Sequence, residues 1–255
     1  MTNELSPNEM NRYQKHLQLP EVGVQGQQKL KAGSVLLVGV GGLGSPAALY
    51  LAAAGVGRLG LVDDDLVALS NLQRQVLHSV QTLGEHKPSS GAKLLQNLNP
   101  EIEVNQYTQR LTDDNAAELI MAYDIILDCT DNYPTRVVIN RVCVAQQKPM
   151  VHGAVFKFEG QLSVFHSPVG PCYTCLYPQK TAEGVIPDPS ENGLIATAPG
   201  VIGVLQANEA IKLLVGIGKP LIGRLLLVDL LDMEFREVKI NRNPQCPVCG
   251  NATWK

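Results

Sequence analysis

The 255-residue chain lacks several features that would assign it to common protein classes. It has no excess of basic residues: 21 lysines and arginines stand against 24 aspartates and glutamates, which argues against a nucleic-acid or anionic-membrane partner. No apolar run has the length expected of a membrane span. The polar first residues also lack the apolar core of a secretory signal. We therefore expect a cytoplasmic protein, in which disulfides are disfavoured.

The distribution of apolar residues predicts an α/β fold. Four predicted strands alternate with helix-forming segments in the first half of the chain, at residues 34–39, 58–63, 102–107 and 124–129, and the first of them is a continuous apolar run. Continuous apolar runs are typical of strands buried on both faces, so we expect a Rossmann-like, mostly parallel sheet flanked by helices. Two later stretches, 149–166 and 223–240, predict antiparallel strands that extend this sheet at its C-terminal side.

Other segments carry weaker signals. A short helix is predicted over 7–18 and a helix with a small-residue face over 201–216, while 180–200 has no periodicity and predicts a long loop. No linker, repeat or low-complexity tract divides the chain, and 45% of its residues are hydrophobic. We therefore expect a single domain over residues 1–255.

A glycine-rich turn follows the first predicted strand. Gly39, Gly41 and Gly44 form the pattern G-x-G-x-x-G between that strand and a helix, where backbone N–H groups can approach a phosphate. Asp63 ends the second strand, where a carboxylate can accept hydrogen bonds from a ribose. By themselves these residues fit an NAD-dependent oxidoreductase.

Two cations and an acid downstream favour a triphosphate instead. Arg74 can donate two hydrogen bonds to phosphate oxygens, and Asn71 and Gln75 can add neutral ones. Lys87 begins a predicted helix, a position that disfavours a cation unless an anion faces it. Asp131 follows the fourth strand, at the edge where open α/β sheets bind ligands, and its carboxylate suits Mg²⁺. This set of groups is typical of phosphoryl-group chemistry.

The remaining acids and histidines show no pattern of their own. Asp128, at the end of the fourth strand, is interpreted as structural. Asp64 and Asp65 are open between a role at the site and that of solvated turn residues. None of the five histidines lies in an evident nucleophilic pattern, so none is assigned a catalytic role.

Two C-x-x-C pairs contain four of the six cysteines, namely Cys172, Cys175, Cys246 and Cys249. In a reducing compartment they predict one closed, tetrahedral, structural Zn²⁺ site, with redox disulfides as the alternative. Cys129 and Cys143 lie in an apolar strand and an apolar helix, and they are interpreted as inert core residues.

Several stretches together carry a family resemblance: RYQKHLQLPEVGVQGQQKL at 12–30, GVGGLGSPAALYLAAAGVG at 39–57, DDDLVALSNLQRQVLH at 63–78, DCTDNYPTR at 128–136, and the paired CYTC and CPVCG. They resemble the MoeB/ThiF/HesA family, E1-like enzymes that adenylate the C-terminus of small ubiquitin-like sulfur-carrier proteins. The resemblance is closest to the short form without a rhodanese-like domain.

The resemblance implies a homodimer that uses ATP, Mg²⁺ and structural Zn²⁺, a sulfur carrier ending in Gly-Gly, and a separate sulfur donor. It implies catalytic roles for Arg74, Lys87, Asp131 and Arg12, the last reaching the phosphates from the partner subunit. The residues it places around ATP, in addition to the glycines at 39, 41 and 44, are Gly42, Asp63, Ser70, Asn71, Leu72, Gln73, Arg74, Lys87, Asp131 and Asn132.

One departure from the family pattern bears on the pathway. Some members carry a loop cysteine four residues before a glycine, where this sequence has PSENG at 189–193, and residues 176–245 contain no cysteine. ThiF, the thiazole-pathway enzyme, is the member thought to need that thiol. We therefore favour a MoeB-like role in molybdenum cofactor biosynthesis, with a ThiF-like role in thiamine biosynthesis as the alternative. An NAD-dependent oxidoreductase and a non-catalytic carrier-binding scaffold are the other classes left open.

Overall fold

The computed structural model describes residues 4–178 and 193–250. Its strands are β1 (Ser34–Val38), β2 (Arg58–Val62), β3 (Glu103–Tyr107), β4 (Ile125–Asp128), β5 (Met150–Phe156), β6 (Glu159–Phe165), β7 (Arg224–Asp229) and β8 (Glu234–Lys239). Its helices are α1 (Pro7–Arg12), α2 (Gln14–Leu17), α3 (Gly23–Ala32), α4 (Gly44–Ala54), α5 (Lys87–Leu98), α6 (Ala116–Met121), α7 (Tyr133–Ala145), α8 (Tyr173–Leu176) and α9 (Thr197–Val215).

The strands form one sheet in the order β3-β2-β1-β4-β5-β6-β7-β8. Strands β1 to β5 pair in parallel, and β6, β7 and β8 each add antiparallel to the strand before. The predicted parallel sheet with an antiparallel C-terminal extension is therefore confirmed. The strand order reverses direction at β1, and open α/β sheets bind ligands at such a switch point. That residues 1–255 form one domain stays a prediction.

Strands β1, β2 and β4 are buried along almost their whole length, as their apolar sequences predict, whereas the edge strand β3 is buried only at Val104. Val35 and Leu37 of β1 belong to a core formed with α4, α5 and α9, whereas Leu36 and Val38 belong to a second core formed with α6 and α7. A strand covered on both sides needs apolar residues at every position. Strand β8, in contrast, is exposed at all six positions and is the last strand of the sheet.

The N-terminal helix differs from its prediction. The segment 7–18 forms two helices, α1 and α2, which are separated at Tyr13. Tyr13 is buried, and its hydroxyl accepts a hydrogen bond from the side chain of Asn99 at 2.8 Å. Its backbone leaves the helical conformation there (φ −96°, ψ 15°), which the sequence pattern does not show.

Helix α9 begins at Thr197, inside the predicted loop 180–200, so the predicted start at residue 201 is wrong. Ala198 and Pro199 of its first turn are buried, and a proline is compatible with a first turn because its missing N–H would have no partner within the helix. Residues 179–192, which hold most of the predicted loop, lie outside the described residues.

By length and composition alone, α9 is also able to cross a membrane, since it has 19 residues and an 18-residue window with a mean hydropathy of 1.2. Half of it is buried against α4 and against strands β5 and β6. This packing accounts for its apolar sequence as that of a core helix.

We predict opposite effects for two glycine substitutions in α9. A β-carbon at Gly203 would lie 2.3 Å from the carbonyl oxygen of Leu43, whereas nothing lies within 4 Å of one at Gly200. Gly203→Ala should therefore lower the free energy of unfolding by about 1–3 kcal/mol through overpacking. Gly200→Ala should raise it by about 0.5–1 kcal/mol, because alanine favours a helix over glycine. Urea denaturation measures both, and equal stabilities would contradict this packing of α9.

Candidate active site

A cleft of about 860 Å³ opens at the carboxyl ends of the parallel strands. Because these ends meet at one edge of the sheet, the turns after β1, β2, β3 and β4 all contribute to its lining. The predicted residues that line it are Gly39, Gly41, Gly42, Asp63, Gln73, Arg74, Lys87, Asp131 and Asn132.

The glycine turn at the bottom of the cleft depends on its glycines in different ways. Gly39 has a φ of +93°, and a β-carbon there would lie 2.7 Å from the carbonyl oxygen of Cys129. Gly44 does not line the cleft; a β-carbon there would lie 2.1 Å from the carbonyl oxygen of Gly39, so the turn closes tightly onto α4. Gly41 and Gly42 face the open space.

Asp63 holds this turn in place. Its carboxylate accepts a hydrogen bond from the Val40 N–H at 2.8 Å and another from the Asp65 N–H at 2.9 Å. Burial raises the pKa of Asp63, although Lys87 and the two N–H groups oppose this shift. The carboxylate thus ties the end of β2 to the glycine turn after β1.

Lys87 is a buried cation that faces carboxylates, as its position at the start of a helix predicts. Its side chain is only 6% exposed, and Nζ lies 2.6 Å from Oδ2 of Asp65 and 4.0 Å from Oδ1 of Asp63. These carboxylates supply the anions that a lysine at the first position of a helix requires. Asp65 is therefore paired, and Asp64 pairs with Arg110, at 3.2 Å.

The segment before Arg74 folds as a short 3₁₀ turn over Leu69–Asn71. Three predicted residues there, Ser70, Asn71 and Leu72, are not among the residues that line the cleft within the described chain. The Asn71 side chain accepts a hydrogen bond from the Ala68 N–H, and the Ser70 carbonyl accepts one from the Arg74 guanidinium. In this structure they support Arg74 rather than face the open space.

Asp131 and Asn132 lie side by side at the start of α7 but differ in their contacts. Asn132 is the N-cap residue, and its Oδ1 accepts a hydrogen bond from the Thr135 N–H at 3.0 Å. Asp131 is exposed, and over residues 4–178 and 193–250 its carboxylate has no hydrogen-bond or ion-pair partner. It is therefore available to a metal ion.

Arg12 is not among the described residues that line the cleft. It ends α1, and its guanidinium donates to the carbonyl of Leu98 at 2.9 Å. Its predicted role in the cleft of a partner subunit stays a prediction.

Asp128 and His152 form a buried pair behind the cleft that the sequence did not predict. Asp128 is the last residue of β4 and stands opposite His152 of β5 in the strand register. Both side chains are fully buried, with 2.6 Å between Oδ2 of Asp128 and Nδ1 of His152. Asp128 also accepts hydrogen bonds from the backbone N–H and hydroxyl of Thr130, and Nε of Arg136 lies 3.7 Å away.

The charge states of this pair follow from burial and hydrogen bonding. Burial favours a raised pKa for Asp128, but the donors around it, His152 first, outweigh burial and hold the pKa below its usual value. Burial lowers the pKa of His152. The pair is therefore a carboxylate that accepts from a neutral imidazole rather than an ion pair.

Other cleft residues escaped the sequence analysis, among them Gln109, Arg110, Arg136, Tyr173 and Tyr177. Gln109 and Arg110 come just after β3, so the strand-end rule that located Asp131 also applies to them. Arg136 lies in the DCTDNYPTR stretch, five residues beyond Asp131, which is a signal for it. Tyr173 lies inside the CYTC motif, which was interpreted only as part of a metal site, and no sequence signal marks Tyr177.

The four cysteines of the two C-x-x-C pairs come together, as predicted. Their sulfur atoms all lie within 4.8 Å of one another. Contacts of 3.8 Å (Cys172–Cys175), 3.6 Å (Cys172–Cys246) and 3.4 Å (Cys175–Cys249) are close to the roughly 3.8 Å expected for a tetrahedron with Zn–S of about 2.3 Å. A hydrogen bond from Cys172 lowers the pKa of Cys175, which favours the thiolate form that binds a metal. The residues fit Zn²⁺.

Cys129 and Cys143 are both buried core residues, as expected. Burial raises the pKa of each thiol well above its ordinary value. Neither is a reactive thiolate at neutral pH.

Comparison with known proteins identifies the chain. The ThiF family model matches residues 13–248. The chain belongs to the ThiF family. It is 48% identical over 248 residues to the sulfur carrier protein adenylyltransferase of Thermus thermophilus, with 95% of this chain and 92% of that protein covered. It is 45% identical over 252 residues to the SAMP-activating enzyme E1 of Haloferax volcanii, covering 99% and 93%.

A solved structure has the same fold. The E. coli MccB structure with ATP superposes with a TM-score of 0.81 and 25% identity, covering 94% of this chain and 74% of that chain. The family match and the full-length relatives make this ThiF-family chain an enzyme of the adenylyltransferase class. The oxidoreductase hypothesis is therefore left with the glycine turn and Asp63 alone, and the assignment as an enzyme removes the non-catalytic scaffold.

We predict that the purified ThiF-family chain contains about one Zn²⁺ per chain, coordinated by four sulfurs. Cys249→Ser should release the metal and lower the melting temperature, because the site joins α8 to the C-terminal segment. The matched control is Cys143→Ser, a buried cysteine outside the cluster, which should keep its metal. Elemental analysis and thermal denaturation measure both effects. A stable protein without zinc, or equal metal loss in both variants, would contradict the assignment.

Proposed function

We propose that the chain uses ATP to adenylate the C-terminal Gly-Gly carboxylate of a small ubiquitin-like sulfur-carrier protein. The observation that carries this proposal is one cleft holding two cations, Arg74 and Lys87, and the free carboxylate of Asp131. The names of the two full-length relatives, a sulfur carrier protein adenylyltransferase and a SAMP-activating E1, support the substrate class. The MccB structure with ATP supports the nucleotide.

The roles we propose for the cleft residues follow from their free hydrogen-bonding capacity. The ammonium group of Lys87 has three N–H donors, and the carboxylates of Asp63 and Asp65 occupy two sides of it. A third N–H can therefore donate to a phosphate oxygen. Arg74 has five N–H donors, of which one is given to Ser70. Each oxygen of Asp63 accepts one N–H, which leaves lone pairs for ribose hydroxyls.

Charge explains why the reaction needs this site. The carrier carboxylate attacks the α-phosphorus of ATP, the bond to the bridging oxygen breaks, and an acyl-adenylate and pyrophosphate result. The carboxylate and ATP are both anions and repel each other. Cations that the fold already holds in place, such as Arg74 and Lys87, lower the barrier because they need not reorganise during the reaction. Mg²⁺, when bound, would add positive charge beside the phosphates, and Asp131 is the residue that we propose to hold it.

The proposal includes a homodimer, because Arg12 does not reach the cleft of its own chain. Within one chain Arg12 donates to Leu98 at the end of α5. We propose that in a dimer it enters the partner's cleft and adds a third cation. A separate sulfur donor would then consume the acyl-adenylate.

The pathway we favour is molybdenum cofactor biosynthesis, with thiamine biosynthesis as the alternative. The supporting observation is the missing cysteine between residues 176 and 245. Cys143 is buried in the core, and Cys129, which borders the cleft, is only 7% exposed and has a pKa that burial raises well above its ordinary value. Among the described residues outside the cysteine cluster, we therefore propose no thiol as the attacking group. An enzyme of this kind stops at the noncovalent adenylate.

We predict that Lys87→Ala lowers carrier-dependent ATP–pyrophosphate exchange by roughly 10²–10³-fold, as loss of one preorganised charge contact does. Arg74→Ala and Asp131→Ala should act in the same direction. The matched control is Lys93→Ala on the same helix, whose side chain is 62% exposed and pairs with Glu85. Its exchange rate should stay near wild type. Near-normal exchange in Lys87→Ala and Arg74→Ala would rule out the phosphate roles.

A further prediction concerns covalent chemistry. Enzyme, carrier and ATP–Mg²⁺ are incubated and then denatured without reductant. Intact-mass spectrometry should find no enzyme–carrier conjugate, because the thiols of Cys129 and Cys143 are buried and protonated. The control is the same mixture with reductant, which should give identical masses. A thiol-labile conjugate at either cysteine would show that the core around it opens.

A further inference from the structure

His78 lies where three parts of the candidate site meet. It is 8% exposed and follows Arg74 on the same segment. Its Nε2 is 2.9 Å from the carbonyl oxygen of Val40 in the glycine turn. Its Nδ1 is 2.9 Å from the hydroxyl of Ser90, in the first turn of the helix that Lys87 begins. One imidazole thus joins the Arg74 segment, the glycine turn and the Lys87 helix.

The contact with Val40 determines which ring nitrogen carries a hydrogen. A carbonyl oxygen only accepts, so Nε2 must carry the hydrogen that is donated to Val40. In a neutral imidazole Nδ1 then has no hydrogen; it lies beside the Ser90 hydroxyl, which also contacts the Thr82 hydroxyl at 2.8 Å and has one hydrogen for the two contacts. Burial lowers the pKa of His78 and outweighs the opposing hydrogen bond to Val40, so the neutral form dominates at neutral pH.

The contact with Val40 also sets the direction of an amide at the cleft. In a trans peptide the C=O and N–H of one unit point in opposite directions. Holding the Val40 carbonyl towards His78 therefore turns the Gly41 N–H away from it. Gly41 lines the cleft, and among residues 4–178 and 193–250 its N–H has no hydrogen-bond partner. The peptide unit before Val40 is fixed as well, because the Val40 N–H donates to the carboxylate of Asp63.

We propose that His78 is a positioning residue for the nucleotide: its Nε2–H holds the Val40–Gly41 peptide so that the Gly41 N–H faces a phosphate of ATP. The assignment rests on the proposed function. His78 touches no substrate itself and acts through the glycine turn. Its Nδ1 contact keeps that turn in register with the helix that carries Lys87.

Two substitutions at His78 distinguish the contribution of Nε2 from that of Nδ1. His78→Gln places an amide N–H near the position of Nε2 and can still donate to Val40. His78→Asn reaches only the position of Nδ1 and leaves the Val40 carbonyl without its donor. Binding of a non-hydrolysable ATP analogue with Mg²⁺ is measured by calorimetry on the full chain, with melting temperatures recorded for each variant. His16→Asn, a half-buried histidine bonded to Gln27 away from the cleft, is the control.

We expect His78→Asn to weaken binding about tenfold, the order expected when a buried acceptor loses its hydrogen bond. His78→Gln should stay within about twofold of wild type even if both variants lose similar thermal stability, because only the donor to Val40 matters here. Equal losses of binding in the two variants would reduce His78 to a general packing role and overturn the proposal. Wild-type affinity in His78→Asn would overturn it too.

A measurement on the unmodified protein covers the case in which His78→Asn does not fold. The ¹⁵N spectrum of His78 should show a protonated Nε2 and a bare Nδ1, and the Gly41 amide resonance should shift when the analogue is added. The opposite tautomer, or a Gly41 amide that does not respond while the analogue binds, would overturn the proposal. If the wild-type chain binds no analogue, the result contradicts the proposed function itself, and the role of His78 is then rejected with it.

Discussion

The fully buried carboxylate of Asp128 constrains the carboxyl edge of the sheet. A charge without water is very costly unless donors surround it, and here they come from His152 on the neighbouring strand and from Thr130 in the following turn. Arg136 lies beside this carboxylate and donates to the Thr130 carbonyl at 2.5 Å. Strand β4, strand β5 and the start of α7 are therefore tied to one point, and Asp131 sits on the turn that this network holds.

Helix α7 extends this constraint to the cysteine cluster. Its first turn is capped by Asn132 at the cleft, and further along the helix Asn140 is buried. The Asn140 side chain accepts from the Tyr173 N–H at 2.8 Å, donates to the Thr174 hydroxyl at 3.0 Å, and lies 3.8 Å from the sulfur of Cys172. A closed metal site at these cysteines would have no open position for chemistry, but it would fix α8, whose Tyr173 lines the cleft.

The sequence predicted elements well where local periodicity and burial agree, and less well where a tertiary contact decides. Strands β1 to β4 were located within one residue at each end, and for β1, β2 and β4 the signal was an apolar run of the kind found in strands covered on both faces. The break at Tyr13 and the early start of α9 depend on what packs against them, so no local pattern marked either. Asn71 and Asn132 lie in two different motifs. Neither motif indicated whether the asparagine side chain faces a ligand or caps a turn.

The sequence by itself determined the fold class, the glycine turn, the grouping of four cysteines into one candidate metal site, and the family. Each of these depends on residue types at short, regular spacings. Only the tertiary structure decided which charges meet. Lys87 is buried between Asp63 and Asp65, Asp131 is left free, Asp128 is paired across the sheet with His152, and His78 joins three segments. The physical reason is that burial and long-range hydrogen bonds set the cost of a charge, and both depend on which distant segments fold against it.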